Sequence, residues 1–255
     1  MKYIFSILFL FTISSMSAQD KKKTWVFILA GQSNMAGRGA VESEDTITDP
    51  RIKTIDKNGN IILAKEPLHF YEPTMAGLDC GLSFAKALIG NCPDDVSILL
   101  IPAAVGGSNI RQWLGDSVHR SVKLLGNFKA KAALAKQYGT IKGILWHQGE
   151  GDANEKGMPV YKENMQKLFA IFRADAGKKK LPIVLGELGA FNLNAAKQFK
   201  QINQIIGEYV SADKNTAVIS TSDLNHKGDN LHFNAAGQRE MGKRYAAAML
   251  KFRLH

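Results

Sequence analysis

Five short runs rich in β-branched and aromatic residues, each followed by a segment of helical periodicity, constrain this chain more than any other feature. The runs are Trp25 to Ala30, Ser97 to Ile101, Ile141 to His147, Pro182 to Glu187 and Thr216 to Ser220. The helical segments are Gly81 to Gly90, Ser117 to Tyr138, Val160 to Ala176, Ala195 to Ser211 and Asn234 to Phe252. Alternation with short connections predicts a mostly parallel sheet covered on both faces. Arg51 to Tyr71 breaks the pattern and reads as a hairpin turning at Asn58-Gly59, expected as an insertion beside the sheet. No repeat, linker or composition shift marks a second domain, so residues 19–255 are expected to form one. With 45% hydrophobic residues in 255, the chain can build one sizeable core, which excludes a disordered class.

Lys2, the apolar run Ile4 to Ile13 and the small residues Ser14 to Ala18 together read as a cleavable export signal over residues 1–18. A secreted or periplasmic protein is expected. The apolar run is shorter than the roughly 20 residues that span a bilayer, so no stable membrane insertion is expected after cleavage. If the helix between Cys80 and Cys92 forms, their Cα atoms lie about 18 Å apart. A disulfide tolerates roughly 4.4 to 6.8 Å, so two free thiols are expected. The net charge of +10 is dispersed, with runs only at Lys21 to Lys23 and Lys178 to Lys180. No basic helix, zinc finger or RNA-binding aromatic signature accompanies it, so no nucleic-acid partner is expected. Nothing in the sequence sets an oligomeric state.

An open parallel sheet binds ligands beyond the carboxyl ends of its strands. Gly31-Gln32-Ser33-Asn34-Met35-Ala36-Gly37 follows the first run, Val105-Gly106-Gly107-Ser108-Asn109 the second, and Trp146-His147-Gln148-Gly149-Glu150 closes the third. Asp229-Asn230-Leu231-His232 precedes the last helix. Acyl transfer needs a hydroxyl nucleophile, a base, a group orienting that base, and donors for the developing oxyanion. Ser33, set between glycines at a strand-to-helix turn, suits the first role, although a lone Ser there equally suits a helix N-cap. Asp229, three residues before His232, can turn its carboxylate onto the imidazole, or else cap the final helix. Gly106-Gly107 permits a close backbone approach, and Gln148 offers a side-chain NH₂ to the same point. The six histidines are scattered and no His-Glu-x-x-His spacing occurs, so no metal is expected.

These four blocks, in this order, resemble the SGNH-hydrolase superfamily, and within it the sialate O-acetylesterase and acetyl xylan esterase branch, carbohydrate esterase family 6. The resemblance runs from about Trp25 to Tyr245. It implies a flavodoxin-like three-layer α/β/α sandwich with a five-stranded parallel sheet, no cofactor, and an acetylated carbohydrate as substrate. It makes Ser33 the nucleophile, His232 the base, and the Ser33 N–H, the Gly107 N–H and the Gln148 side chain the oxyanion hole. The superfamily pattern has Asn where this chain has Gln148. For the orienting carboxylate the resemblance leaves Asp229 and Glu150 open, and the three-residue spacing favours Asp229. Glu150 otherwise orients His147 or binds substrate. Gln32, Asn34 and Arg38 flank the nucleophile as candidate substrate contacts, Arg38 toward a substrate carboxylate or within an ion pair. Trp113, Phe70, Tyr71 and Phe191 are candidates for stacking on sugar or for packing. Two other functions stay open: hydrolysis of lipid or thioester acyl groups, and glycan binding without catalysis.

Overall fold

The computed structural model describes residues 18–254, with side chains from residue 21, so the export signal lies outside the described residues but for position 18. Helix α1 (Ala18–Lys23) leads into β1 (Thr24–Gly31) and the single turn α2 (Ser33–Ala36). Strands β2 (Ile52–Ile55) and β3 (Ile61–Leu63) precede α3 (Gly81–Ile89), β4 (Ser97–Pro102), α4 (Ile110–Leu114), β5 (Val118–His119), β6 (Val122–Lys123) and α5 (Leu124–Tyr138). Then come β7 (Thr140–His147), α6 (Met158–Asp175), β8 (Ile183–Gly186), α7 (Ala196–Ala212), β9 (Thr216–Ile219) and α8 (Ala235–Met249).

The main sheet has the order β3-β2-β4-β1-β7-β8-β9. The five strands expected from the sequence are its run β4-β1-β7-β8-β9, all parallel. From β1 the chain goes first to β2, β3 and β4 on one side and then to β7 on the other, so the crevice opens at the carboxyl end of β1. The count of five is corrected to seven: the expected insertion joins the sheet, with β2 parallel to β4 and β3 antiparallel to β2. A hairpin's sequence announces its turn but not its partner, and the open edge of β4 is such a partner.

Every residue of β1 is buried, and its side chains alternate between two cores. Val26, Ile28 and Ala30 pack with Phe128, Phe169 and Phe172 of α5 and α6. Trp25, Phe27 and Leu29 pack with Phe84 of α3 and Met241 and Tyr245 of α8. Cys80 and Cys92 are free and buried on this second side. The expected helix from Ser117 begins only at Leu124, after the hairpin β5-β6, whose turn residues Arg120 and Ser121 take φ 47° and 64°. A two-residue turn with both φ values positive normally carries Asn or Gly, so Arg-Ser gave no hairpin signal.

Glu66 is buried beside Asp79, whose N–H it accepts and which is itself paired with His69 at 2.7 Å. Burial and the Asp79 charge push the Glu66 carboxyl well above the ordinary range, so it keeps its proton where an unfolded chain has lost it. Above about pH 4.3 the unfolded state then binds fewer protons than the folded state, and stability falls as pH rises toward the folded pKa. Thermal unfolding of Glu66→Gln across pH 4 to 8 is expected to lack that decline. Parallel curves for the two proteins would refute the assignment.

Candidate active site

Gly31 ends β1 with φ 138°, and a Cβ there would lie 2.1 Å from the His147 carbonyl oxygen. Only glycine allows β1 to close on β7 at this point. The Gln32 N–H then donates to that same carbonyl at 2.9 Å, which sets Ser33 at the first position of α2. The cap position belongs to Gln32, whose side chain makes no capping bond.

From the opposite side, the loop before α8 brings in His232 and Asp229. Asp229 Oδ2 accepts from His232 Nδ1 at 2.7 Å, while its Oδ1 accepts the Leu231 and His232 N–H groups at 3.0 and 2.8 Å. With the proton drawn to Nδ1, the bare Nε2 faces Ser33 Oγ at 3.0 Å, and the hydroxyl donates to it. Partial burial alone would raise the Asp229 pKa, but the bonds from His232 and Leu231 outweigh it and hold the carboxyl down at about 2. It is therefore a carboxylate at neutral pH.

Asn34 ties the two sides together. Its Nδ2 donates to Glu150 Oε1 at 2.7 Å and to the Leu231 carbonyl at 3.2 Å, and its Oδ1 accepts the Phe233 N–H at 3.2 Å. Asn34 is buried and spends its amide on this clamp, so it is a positioning residue rather than a substrate contact. Glu150 meets Asn34 and lies 3.7 Å from His147 Nδ1, and among the described residues it makes no hydrogen bond or ion pair with His232.

Ser33 and His232 line a cleft of about 440 Å³ with Gln32, Arg38, Gly106, Gly107 and Arg120. Gly107 takes φ 76°, and neither its N–H nor that of Ser33 has an acceptor among the described residues. Arg120 lies close to Gly107 and was not foreseen from the sequence. Its Nη1 donates to Glu72 Oε1 at 2.6 Å, while Glu72 Oε2 accepts from Arg38 and from the Gly106 N–H at 2.8 and 2.6 Å. Burial disfavours the Glu72 charge, yet these donors hold its carboxyl below the ordinary range. Two guanidiniums against one carboxylate leave this end of the cleft with one net positive charge. The Arg38 side chain is paired and buried, whereas that of Arg120 is 41% exposed.

Two further expected site residues, Gln148 and Trp113, lie elsewhere. Gln148 is wholly buried and does not line the cleft: its Nε2 donates to Asp152 Oδ2 at 2.6 Å, and its Oε1 accepts from Tyr161 at 3.1 Å. Trp113 is a core residue, donating to Ser108 Oγ at 3.0 Å and packed edge-on against Trp146. The remaining aromatics also pack elsewhere, Phe70 against Tyr71 and Phe191 against Phe233. Among the described residues, no group of three or more His, Cys, Asp or Glu is arranged to hold a metal ion.

Comparison with known proteins adds a second line of observation. A family model described as carbohydrate esterase, sialic acid-specific acetylesterase, matches residues 23–251. A "Probable carbohydrate esterase" of Arabidopsis thaliana is 30% identical over 248 residues, which is 88% of this chain and 90% of that protein. A solved Arabidopsis thaliana structure superposes with a TM-score of 0.76 at 26% identity, covering 89% of this chain and 98% of the other. NanS superposes at 0.73 with 17% identity, over 91% of this chain and 98% of its own. A carbohydrate acetylesterase from Xanthomonas citri superposes at 0.65 with 21% identity, over 89% of this chain and 55% of the other. At those identities the last two speak to the fold alone.

Proposed function

The chain belongs to the sialic acid-specific acetylesterase family of carbohydrate esterases, within the SGNH hydrolases, and on that premise we propose that it is an exported serine esterase acting on acetylated acidic sugars. The enzyme class, a carbohydrate acetylesterase, follows from the family. The serine mechanism rests on one observation above the rest, the 3.0 Å approach of Ser33 Oγ to a His232 already oriented by Asp229. In this mechanism Ser33 Oγ attacks the acetyl carbonyl carbon while its proton passes to His232 Nε2. The oxyanion forms beside the Ser33 and Gly107 N–H groups. Collapse breaks the bond to the sugar oxygen, which takes the proton from His232 and leaves as a hydroxyl, and an acetyl-serine remains. Water deprotonated by His232 then attacks the acetyl carbon, acetate leaves, and Ser33 Oγ takes the proton back from His232. No metal or other cofactor enters any step.

An acidic sugar is favoured over neutral xylan because Arg120 brings an exposed guanidinium to the cleft at its net-positive end. Acetate release from acetylated sialic acids, acetylated xylan and longer acyl esters tests the substrate class, and a preference for long acyl chains would overturn it. Arg120→Ala is expected to raise KM for the acidic substrate roughly tenfold, and by more than for the neutral one. Equal effects on both would remove Arg120 from carboxylate recognition. Export is supported by the Lys2, Ile4–Ile13 and Ser14–Ala18 pattern, and recovery of an uncleaved chain in the cytoplasm would overturn it.

A further inference from the structure

A trans peptide unit carries the Gly107 N–H and the Gly106 carbonyl in one plane, pointing to opposite sides. Whatever holds the carbonyl therefore aims the N–H. Among the described residues the Gly106 oxygen has one hydrogen-bond partner, His119 Nε2 at 2.8 Å. The Gly106 N–H is fixed as well, donating to Glu72 Oε2 at 2.6 Å. Gly106 is buried and Gly107 exposed, and both line the cleft, so the peptide between them forms part of its wall. Both anchors lead to the β5-β6 hairpin: His119 closes β5, and Arg120 at the turn holds Glu72 Oε1 at 2.6 Å. A Cβ on Gly107 would lie 3.6 Å from His119 Nε2 and from Arg120 Nη2, so the hairpin packs against this same residue.

The neighbours of His119 fix where its proton sits. A carbonyl only accepts, so Nε2 carries the hydrogen. The other ring nitrogen, Nδ1, lies 3.4 Å from Gln112 Nε2 of α4. Gln112 Oε1 already accepts the Asn109 N–H at 2.9 Å, so the arm facing His119 is the NH₂, and Nδ1 accepts from it. The bonds thus run head to tail, from Gln112 to His119, from His119 to the Gly106 carbonyl, and through the peptide to the Gly107 N–H. Hydrogen bonds in such a chain polarise one another, which makes the last N–H a stronger donor. We infer that His119 is a positioning residue for the oxyanion: from behind the cleft wall, without lining the cleft itself, it aims and polarises the Gly107 N–H. The inference rests on the serine-esterase reading but not on the identity of the sugar.

The experiment measures kcat and KM for the parent, Ser33→Ala, His119→Phe and His119→Gln, with thermal unfolding as the check on folding. The substrate is p-nitrophenyl acetate, which has no carboxylate for Arg120 to meet. His119→Phe fills the space but donates nothing, and is expected to lose on the order of tenfold in kcat with KM little changed, because the N–H it misaims meets charge present mainly in the transition state. His119→Gln offers an amide nitrogen at about the reach of Nε2 and should restore kcat to within about threefold of the parent. A folded His119→Phe within about twofold of the parent kcat overturns the assignment, as does a loss confined to KM or a His119→Gln no faster than His119→Phe. The imidazole nitrogen chemical shifts of the parent give a reading that needs no variant: Nε2 is expected to be protonated, and a bare Nε2 overturns the assignment. An inactive Ser33→Ala beside an unimpaired His119→Phe defeats this assignment alone, whereas a Ser33→Ala that keeps the parent rate defeats the serine mechanism and this assignment with it. A parent that hydrolyses p-nitrophenyl acetate but no acetylated carbohydrate defeats the substrate reading and leaves the positioning role to be decided by the His119 variants.

Discussion

Ser33→Ala is expected to yield a folded protein whose kcat for acetate release falls on the order of a millionfold, the scale seen when the nucleophile of a serine hydrolase is removed. The hydroxyl makes one hydrogen bond, to His232 Nε2, at the wall of the cleft. Removing it leaves no sealed polar atom, because the freed nitrogen faces the cleft, so stability should change by less than about 1 kcal/mol. In a chain of this size that corresponds to a few degrees in Tm. Loss of rate without loss of fold then isolates chemistry from structure. A folded variant keeping a tenth of the parent rate would show that another group attacks the acetyl carbon. Accumulation of an acetylated enzyme supplies an independent reading: brief exposure to p-nitrophenyl acetate should add one acetyl group, 42 Da on the general chemistry of acetylation, to the parent and none to the variant.

How far such a site is legible in sequence depends on how local its determinants are. The continuous apolar run of β1 announced a strand buried on both faces, and its end at Gly31 announced where chemistry would lie. Asp229 and His232 are three residues apart, so their contact is set within one loop, and their spacing favoured it over Glu150. Gln148 was different. Its block was recognisable, but the direction of its amide is set by Asp152 four residues on, by Tyr161 of α6 and by Ser108 after β4. No single-segment pattern encodes that. Arg120 left no trace at all, since it reaches the cleft on a hairpin whose turn lacks the usual Asn or Gly. The ion pair with Glu72, remote in sequence, ties that turn to the cleft wall. Left-handed non-glycine residues of this kind store strain that the surrounding contacts must hold.

The sharper test of the catalytic geometry compares Asp229→Asn with Glu150→Gln. In Asp229→Asn the amide oxygen can keep the Leu231 and His232 N–H bonds, but the NH₂ then faces His232 Nδ1. A donor there favours the tautomer with its proton on Nε2, which cannot accept the Ser33 proton, and the expected loss is on the order of ten-thousandfold in kcat. In Glu150→Gln the amide oxygen can still accept from Asn34 Nδ2, so the clamp on the His232 loop survives and less than about a tenfold loss is expected. The pH dependence separates the roles further. The Asp229 pKa lies at about 2, below its ordinary value, so its contribution to the folded site is present above the ordinary value and lost only as pH falls through about 2. The acid limb of kcat/KM in the parent therefore follows one ionisation, the imidazole that must be neutral to take the proton, and should have unit slope. A slope of two would bring a second ionisation, that of a carboxyl, into that range. If Glu150→Gln proves the more damaged of two folded variants, the orienting role passes to Glu150 and Asp229 is left to shape its loop.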